Sequence, residues 1–365
     1  MKDIKIVIGA NFGDEGKGLI TDYFSRKGNT IVVCSNGGAQ RGHTVVKNNI
    51  RHVFHHFGSG TLNGAATYLP SEFIVNPMVF HEEYMRLVTL GFVPRVYMSD
   101  KCMITTPLDM MANQIIEESR RENKHGSCGL GIYETIKRSS HEKNVLNFES
   151  IRRYYMRVFC DLNITISESW KELFFDDGIK QRFVDDLTFM FRKTIQYDET
   201  VLLKYDNIIF EAGQGLLLDQ NNKEYYPHLT PSNTGIQNPI NIIEKITWND
   251  YLNIEVCYVS RTYMTRHGAG RLPSECDKSH INPNMEDKTN VPNPHQDSLR
   301  YGILDLEELH MRCINDISAL KYPHKKSVVF THCNEYDVDI FMIKTIFKGW
   351  DVYYSNREKG NLFPL

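Results

Sequence analysis

The sequence has no CxxC pair, no internal repeat and no low-complexity tract, and none of its apolar runs approaches the roughly 18 residues that span a bilayer. Without paired spacing, its eight cysteines (Cys34, Cys102, Cys128, Cys160, Cys257, Cys276, Cys313 and Cys333) read as reduced thiols, neither a disulfide framework nor a metal-ligand set. An excess of positive charge is also missing. Lys and Arg total 42 against 45 Asp and Glu, a net charge of -3, which argues against a nucleic acid polymer as partner. The opening residues MKDIKIVIGANFGDEGKG lack the charged, apolar and small-residue regions of a leader. The expectation is a cytoplasmic protein with no membrane partner, in the host cytoplasm if the source is viral. Any anionic ligand must then be captured locally.

What is present is a recurring pattern of short apolar runs that end in polar or glycine-rich loops. Ile4 to Ile8 ends at a glycine loop and Gly16 to Arg26 follows as a helix. Thr30 to Cys34 precedes the loop Asn36 to His43, Asn207 to Phe210 precedes EAGQG, Ile254 to Val259 precedes RTYMTRHGAG, and Ser327 to Phe330 precedes THCNEYD. This predicts an α/β fold: a P-loop-like, mainly parallel central sheet with helices on both faces, its functional loops at the carboxyl ends of the strands. Residues 1–365 are expected to form one domain. Segments 108–125 and 148–205, poor in glycine, are expected to be helical insertions, and about 277–300, with three prolines between Asp277 and Gln296, a long mobile loop.

The segment Gly9-Ala-Asn-Phe-Gly13-Asp14-Glu15-Gly16-Lys17-Gly18 has the composition of a phosphate loop without the GxxxxGK[ST] spacing. Asn11 stands where the first glycine belongs, and Gly18 where Ser or Thr belongs. Glycines let backbone N–H groups approach phosphate oxygens, Lys17 adds a positive charge, and the helix behind favours an anion at its N-terminus. Asp14 and Glu15 would repel a polyphosphate unless Mg²⁺ or a proton-transfer role offsets them. A GTP-binding switch would need Ser or Thr after the lysine and an NKxD string, and a dinucleotide-binding fold would need GxGxxG; the sequence offers neither.

The string GDEGKG after the first strand resembles the N-terminal signature of the adenylosuccinate synthetase family. Four further blocks follow in order: Gly37-Gly-Ala-Gln40-Arg41-Gly42-His43-Thr44-Val45; Gly126-Ser-Cys-Gly-Leu-Gly-Ile132; Phe210-Glu-Ala-Gly-Gln-Gly215 with Leu218-Asp219, Tyr226-Pro227 and Thr230-Pro-Ser-Asn-Thr234; and Arg261-Thr-Tyr-Met-Thr-Arg266-His-Gly-Ala-Gly270 with Pro273-Ser-Glu275. The resemblance implies a ligase that phosphorylates the 6-oxygen of a purine nucleoside monophosphate, then lets the amine of L-aspartate displace that phosphate. Asp14 would be the general base and Mg²⁺ ligand, with the Gly42 carbonyl a further ligand; His43 would bond O6 or the phosphoryl oxygens, and Lys17 would neutralise charge. Gly13, Glu15, Gly16, Lys17, Gly18, Gly42 and Thr44 would hold the triphosphate. Asp14, Gln40, Ser127, Cys128, Gln214, Thr230 and His267 would hold the purine nucleotide, with Arg138 the candidate for an arginine that the family shares across a homodimer.

Beyond residue 275 the pattern departs from the family. The usual GRPRRxGWxD string is replaced by Thr289-Asn-Val-Pro-Asn-Pro-His-Gln-Asp-Ser-Leu-Arg300-Tyr-Gly302, leaving Thr289, Asn290 and Arg300 as candidates for L-aspartate. The family's base-reading TKLD appears as Thr331-His-Cys-Asn334. A carboxylate accepts both guanine N–H donors, whereas an amide offers one donor and one acceptor and suits adenine, so Asn334 points to ATP over GTP. His267 follows Thr265-Arg266 where an apolar residue is usual. These changes resemble a viral branch of the family, associated with 2-aminoadenine DNA, that acts on dGMP with an adenine donor. The expected substrates are therefore dGMP and ATP, with IMP and GTP the alternative.

Overall fold

The computed structural model describes residues 1–284, 299–355 and 362–365. The β-branched run at the N-terminus forms β1 (Lys2–Gly9), the second run forms β2 (Thr30–Cys34), and both enter one ten-stranded sheet. Its order is 194–196, 96–98, 66–69, β2, 207–215, β1, 252–261, 324–331, 351–354 and 363–364. All neighbours pair in parallel except the last two strands.

The central strands are apolar on both faces, as a sheet covered on both sides requires. Ile4, Ile6 and Ile8 pack with Ile240, Ile243, Leu309 and Cys313 on one face. Val7 packs with Ile20, Val32, Ile209 and Val259 on the other. A further core gathers Phe80, Leu108, Ile151, Phe174, Phe183 and Met190 among the helices that follow. The expected α/β sheet with helices on both faces is therefore present.

Helix α1 (Lys17–Phe24) starts from Gly16, whose φ of 92° is the left-handed turn that glycine adopts without strain. Helices α2 (Pro77–Thr89) and α3 (Pro107–Ser119) begin with proline behind Asn76 and Thr106 caps, the latter in a capping box with Asp109. Helix α4 (Ile132–Ser139) precedes α5 (Phe148–Asp161), α6 (Glu168–Phe175) and α7 (Asp177–Lys193). Within the expected 148–205 segment the α-helices run to Lys193 and a 3-10 helix spans Glu199–Lys204, with a short strand between them. Thr194–Gln196, with its β-branched Thr194 and Ile195, joins the sheet edge beside Val96–Met98, where ladder bonds replace helical ones. Of the 277–300 segment, Lys278–Ile281 is a helical turn and residues 285–298 lie outside the described residues, Thr289 and Asn290 among them.

Candidate active site

Strands β1, β2, 207–215, 252–261 and 324–331 release their carboxyl-terminal loops on one edge of the sheet, where open α/β sheets bind ligands. The first loop closes on its own charges. Glu15 Oε1 accepts the N–H groups of Asn11 (2.9 Å) and Gly13 (2.8 Å), and Glu15 Oε2 lies 3.2 Å from Lys17 Nζ. Lys17, whose side chain is 0% exposed, also donates to the Gly13 carbonyl at 2.6 Å. The loop thus stands formed around a carboxylate at the end of β1.

Gly18 has a reason beyond phosphate binding. A Cβ there would lie 2.9 Å from His43 Cβ and 3.2 Å from Ser59 Oγ, so its smallness lets the His43 strand press against the first turn of α1. His43 heads an antiparallel hairpin, His43–Lys47 with Ile50–Phe54, and its Nδ1 sits 3.0 Å from Glu211 Oε1. The other Glu211 oxygen lies 3.3 Å from Arg41 Nη1. Burial would raise the Glu211 carboxyl, but His43 and Arg41 beside it pull it down to about 2. Burial lowers the His43 imidazole against the opposing pull of Glu211. Nδ1 therefore faces the Glu211 carboxylate, and Nε2 on the other side of the ring is left for a ligand.

Asp14 projects from the same loop with a side chain 26% exposed, and its Oδ2 is 3.6 Å from His267 Nε2. Burial raises its pKa, and the His267 and Arg261 charges oppose that rise. Arg261 Nε donates to the Asp14 carbonyl at 2.6 Å, while Thr331 Oγ1 donates to the Glu15 carbonyl at 2.8 Å, so two neighbouring strands fix the loop from behind. Asn334 follows Thr331 in the exposed turn beyond its strand.

The purine-nucleotide candidates Gln40 and Gln214 converge above Gly37. A Cβ on Gly37 would lie 3.2 Å from Gln214 Oε1 and 3.5 Å from Gln40 Nε2. Gln214 holds a left-handed φ of 57°, and Asn36 clamps its neighbour Gly213 through both amide atoms. Gln40 Oε1 and Thr44 Oγ1 are buried with no hydrogen-bond partner among the described residues, which suits groups that await a ligand. Ser127 and Cys128 lie in the half-buried 126–131 loop, where Ser127 Oγ donates to Asn113 and burial raises the Cys128 thiol. Thr230 is tied to Leu218 through its N–H, and Asp219 Oδ2 accepts the Thr234 N–H at 2.7 Å.

Two sequence candidates are committed elsewhere. Arg138 is 1% exposed, with Nε and Nη2 on Asp109 (3.1 and 2.8 Å) and further bonds to the Ile104 and Glu142 carbonyls. Within its own subunit the guanidinium therefore already has a carboxylate and two carbonyls as partners. Arg300 is paired with Glu275 through two nitrogens, and its Nη1 donates to the Gly268 and Gly270 carbonyls, so it pins the HGAG turn. Sequence reasoning missed Glu211, Arg41 and Arg261. All three sit inside quoted motif blocks, where a buried charge beside the reactive loops was the available signal.

An acid, an imidazole and a lysine gathered over glycine loops at the carboxyl edge of a parallel sheet are the parts of a phosphate-handling site. The adenylosuccinate synthetase family model matches residues 6–321, and the chain belongs to that family. Adenylosuccinate synthetase of Synechocystis sp. is 30% identical over 292 residues, which are 74% of this chain and 63% of the relative. That of Coccidioides posadasii is 30% identical over 296 residues, 74% of this chain and 65% of its own length. The chain thus spans less than two thirds of these relatives. Two solved structures share the fold. The fully ligated adenylosuccinate synthetase of Plasmodium falciparum has TM-score 0.60 and 24% identity, covering 98% of this chain and 82% of that one. The succinoaminodeoxyadenylate synthetase of cyanophage S-2L, bound to dGMP and dATP, has TM-score 0.67 and 15% identity, covering 100% and 95%.

Proposed function

We propose that the chain is a C–N ligase that joins L-aspartate to C6 of dGMP, with ATP as phosphoryl donor, to give N6-succino-2-amino-dAMP. The observation that carries the reaction class is the convergence of Asp14, Lys17 and His43 on one loop edge, with Gly18 kept small so that His43 reaches it. Asp14, its pKa raised, takes the N1 proton as O6 bonds to the γ-phosphorus and the bond to the departing diphosphate breaks. His43, oriented by Glu211, holds O6 and the phosphoryl oxygens as charge develops there. The aspartate amine then bonds C6 as the C6–O bond breaks, and phosphate leaves with that oxygen and takes up the proton the amine loses.

Mg²⁺ fits the donor set. Among the described residues no three acidic, histidine or cysteine side chains form a metal cluster, while Asp14 stands partly exposed on the 9–18 loop and Gly42 directly precedes His43. One carboxylate and a carbonyl completed by nucleotide phosphates are the hard, incomplete shell that Mg²⁺ accepts, and it would supply charge neutralisation. A homodimer and a cytoplasmic setting complete the reading; no described helix is long and apolar enough to cross a membrane.

The choice of dGMP and ATP rests on Asn334 in the base-reading turn and on correspondence along the whole chain with the cyanophage protein that carries dGMP and dATP. IMP with GTP is the second reading, favoured by the names of the relatives at 30% identity. A matrix of IMP, GMP and dGMP against ATP, dATP and GTP, with aspartate and Mg²⁺, decides. Succinyl product from dGMP and an adenine donor is expected. Product only from IMP and GTP would replace the substrate assignment, and no product from any pair would remove the ligase reading.

A further inference from the structure

The arginines around the 126–131 loop already hold partners within the chain, Arg120 on Glu117 and Arg266 on the His228 and Arg271 carbonyls among them. Arg138 is turned inward on Asp109, Arg300 is paired with Glu275, and Cys128 offers a thiol that burial keeps protonated. Two imidazoles stand there instead. His125 precedes the 126–131 loop and His228 lies two residues before Thr230; their rings meet edge to face with centroids 5.2 Å apart. That contact joins the two loops that carry the purine-nucleotide candidates Ser127, Cys128 and Thr230. His228 Nδ1 is buried without a well-formed hydrogen bond among the described residues, and the His228 carbonyl is held by Arg266 Nη2 at 3.0 Å.

The same loop already gathers an anion. Glu117 of α3 turns its carboxylate onto the N–H groups of Gly126 (2.7 Å) and Ser127 (3.4 Å). Gly126 cannot be larger, because a Cβ there would lie 2.8 Å from Gly268 Cα, so the loop is pressed against the HGAG turn with its amides fixed in place.

We propose that His125 and His228 form the cationic wall of a phosphomonoester subsite, gripping the 5′-phosphate of the nucleotide. This rests on the nucleotide reading above and adds to it the group that neutralises the phosphate. In the ligand-free chain, burial lowers both imidazoles. His125 also faces Arg120 and Glu117, and His228 faces Arg266, Glu117 and both the ring and the backbone of His125. A dianion alongside the paired rings reverses the balance of that neighbourhood and favours their protonated forms. Binding should then take up protons, and the imidazole contribution should fade as pH rises.

The test uses calorimetric dissociation constants for dGMP, deoxyguanosine and inorganic phosphate, measured on the full chain and on His125→Asn/His228→Asn at pH 6.5 and 8.5. Both rings are half-exposed, and a melting curve verifies that the double variant folds. The variant is expected to bind dGMP and phosphate about tenfold more weakly at pH 6.5, with a smaller gap at pH 8.5 and deoxyguanosine unaffected. His228→Arg in the His125→Asn background is expected to recover most of the loss. A dGMP affinity within twofold of wild type, or an equal loss for deoxyguanosine, overturns the inference. If wild type binds inorganic phosphate with this histidine dependence yet binds none of dGMP, GMP or IMP, the subsite stands and the nucleotide reading falls.

Discussion

The two glycine loops of the cleft solve the same problem with opposite charge economies. The 9–18 loop encloses a matched pair: Glu15 on its amides and Lys17 beside it, both buried, with Arg261 and Thr331 holding its carbonyls. The 126–131 loop is half-exposed, leans on Glu117, and has behind it an acid, Glu134, that burial drives up to about 7. In the first loop the Glu15–Lys17 pair is complete before any ligand arrives, and Asp14 alone is left to titrate. The other carries titratable groups whose charge a ligand can decide. The first is therefore suited to hold reacting atoms in fixed places, and the second to respond to what binds.

The largest break in that contrast should come from Asp14→Asn. The amide keeps the shape and removes the base, so turnover should fall by about a thousandfold or more while nucleotide binding survives. Steady-state kinetics beside calorimetric binding checks this; residual activity near a tenth of wild type would take Asp14 out of the chemistry.

Next in size is Glu211→Gln. Glu211 is fully buried between His43 and Arg41, and the exchange leaves Arg41 without its counter-charge. We expect kcat to fall by about 10- to 100-fold with little change in KM, because the residue orients His43 rather than touching substrate. Urea unfolding should show a loss of about 3–5 kcal/mol, the usual consequence of breaking a buried pair. Unchanged kcat with that loss of stability would make Glu211 purely structural.

The same contrast separates what could be read from the sequence. The parallel sheet was legible because five β-branched runs each end in a loop of glycine or polar residues, and the structure extends those runs by only a few residues, as at Leu252–Arg261. Asp14 and Lys17 could be proposed from the sequence because a phosphate loop must be local in sequence, and His43 only through the resemblance of the block that holds it. Glu211, Arg41 and Arg261 were not legible, since their roles come from strands paired across more than a hundred residues of chain. Arg138 misled for the complementary reason. An arginine near a phosphate loop looks like a ligand until Asp109, 29 residues earlier on α3, is seen to occupy it. The strand Thr194–Gln196 inside the 148–205 segment escaped because an edge strand is decided by the neighbour it finds, Val96–Met98, and three residues carry little pattern of their own.

The smallest effect concerns the second loop and appears only with pH. Glu134 lies in the first turn of α4, with Oε2 buried and unsatisfied among the described residues. Burial raises its pKa from 4.5 to about 7, against the help of its own N–H and Asn113. A carboxyl raised in the folded state adds stability that is fully present below the unfolded value, near 4.5, and is lost as pH climbs through about 7. At roughly 1.4 kcal/mol per pH unit, wild type should lose up to about 3 kcal/mol from this group between pH 4.5 and pH 8. Glu134→Gln cannot ionise, so it should match wild type near pH 5 and exceed it at pH 8 in urea unfolding. Equal pH dependence of the two proteins would mean that Glu134 is charged in the fold, and the second loop would then be as electrostatically settled as the first.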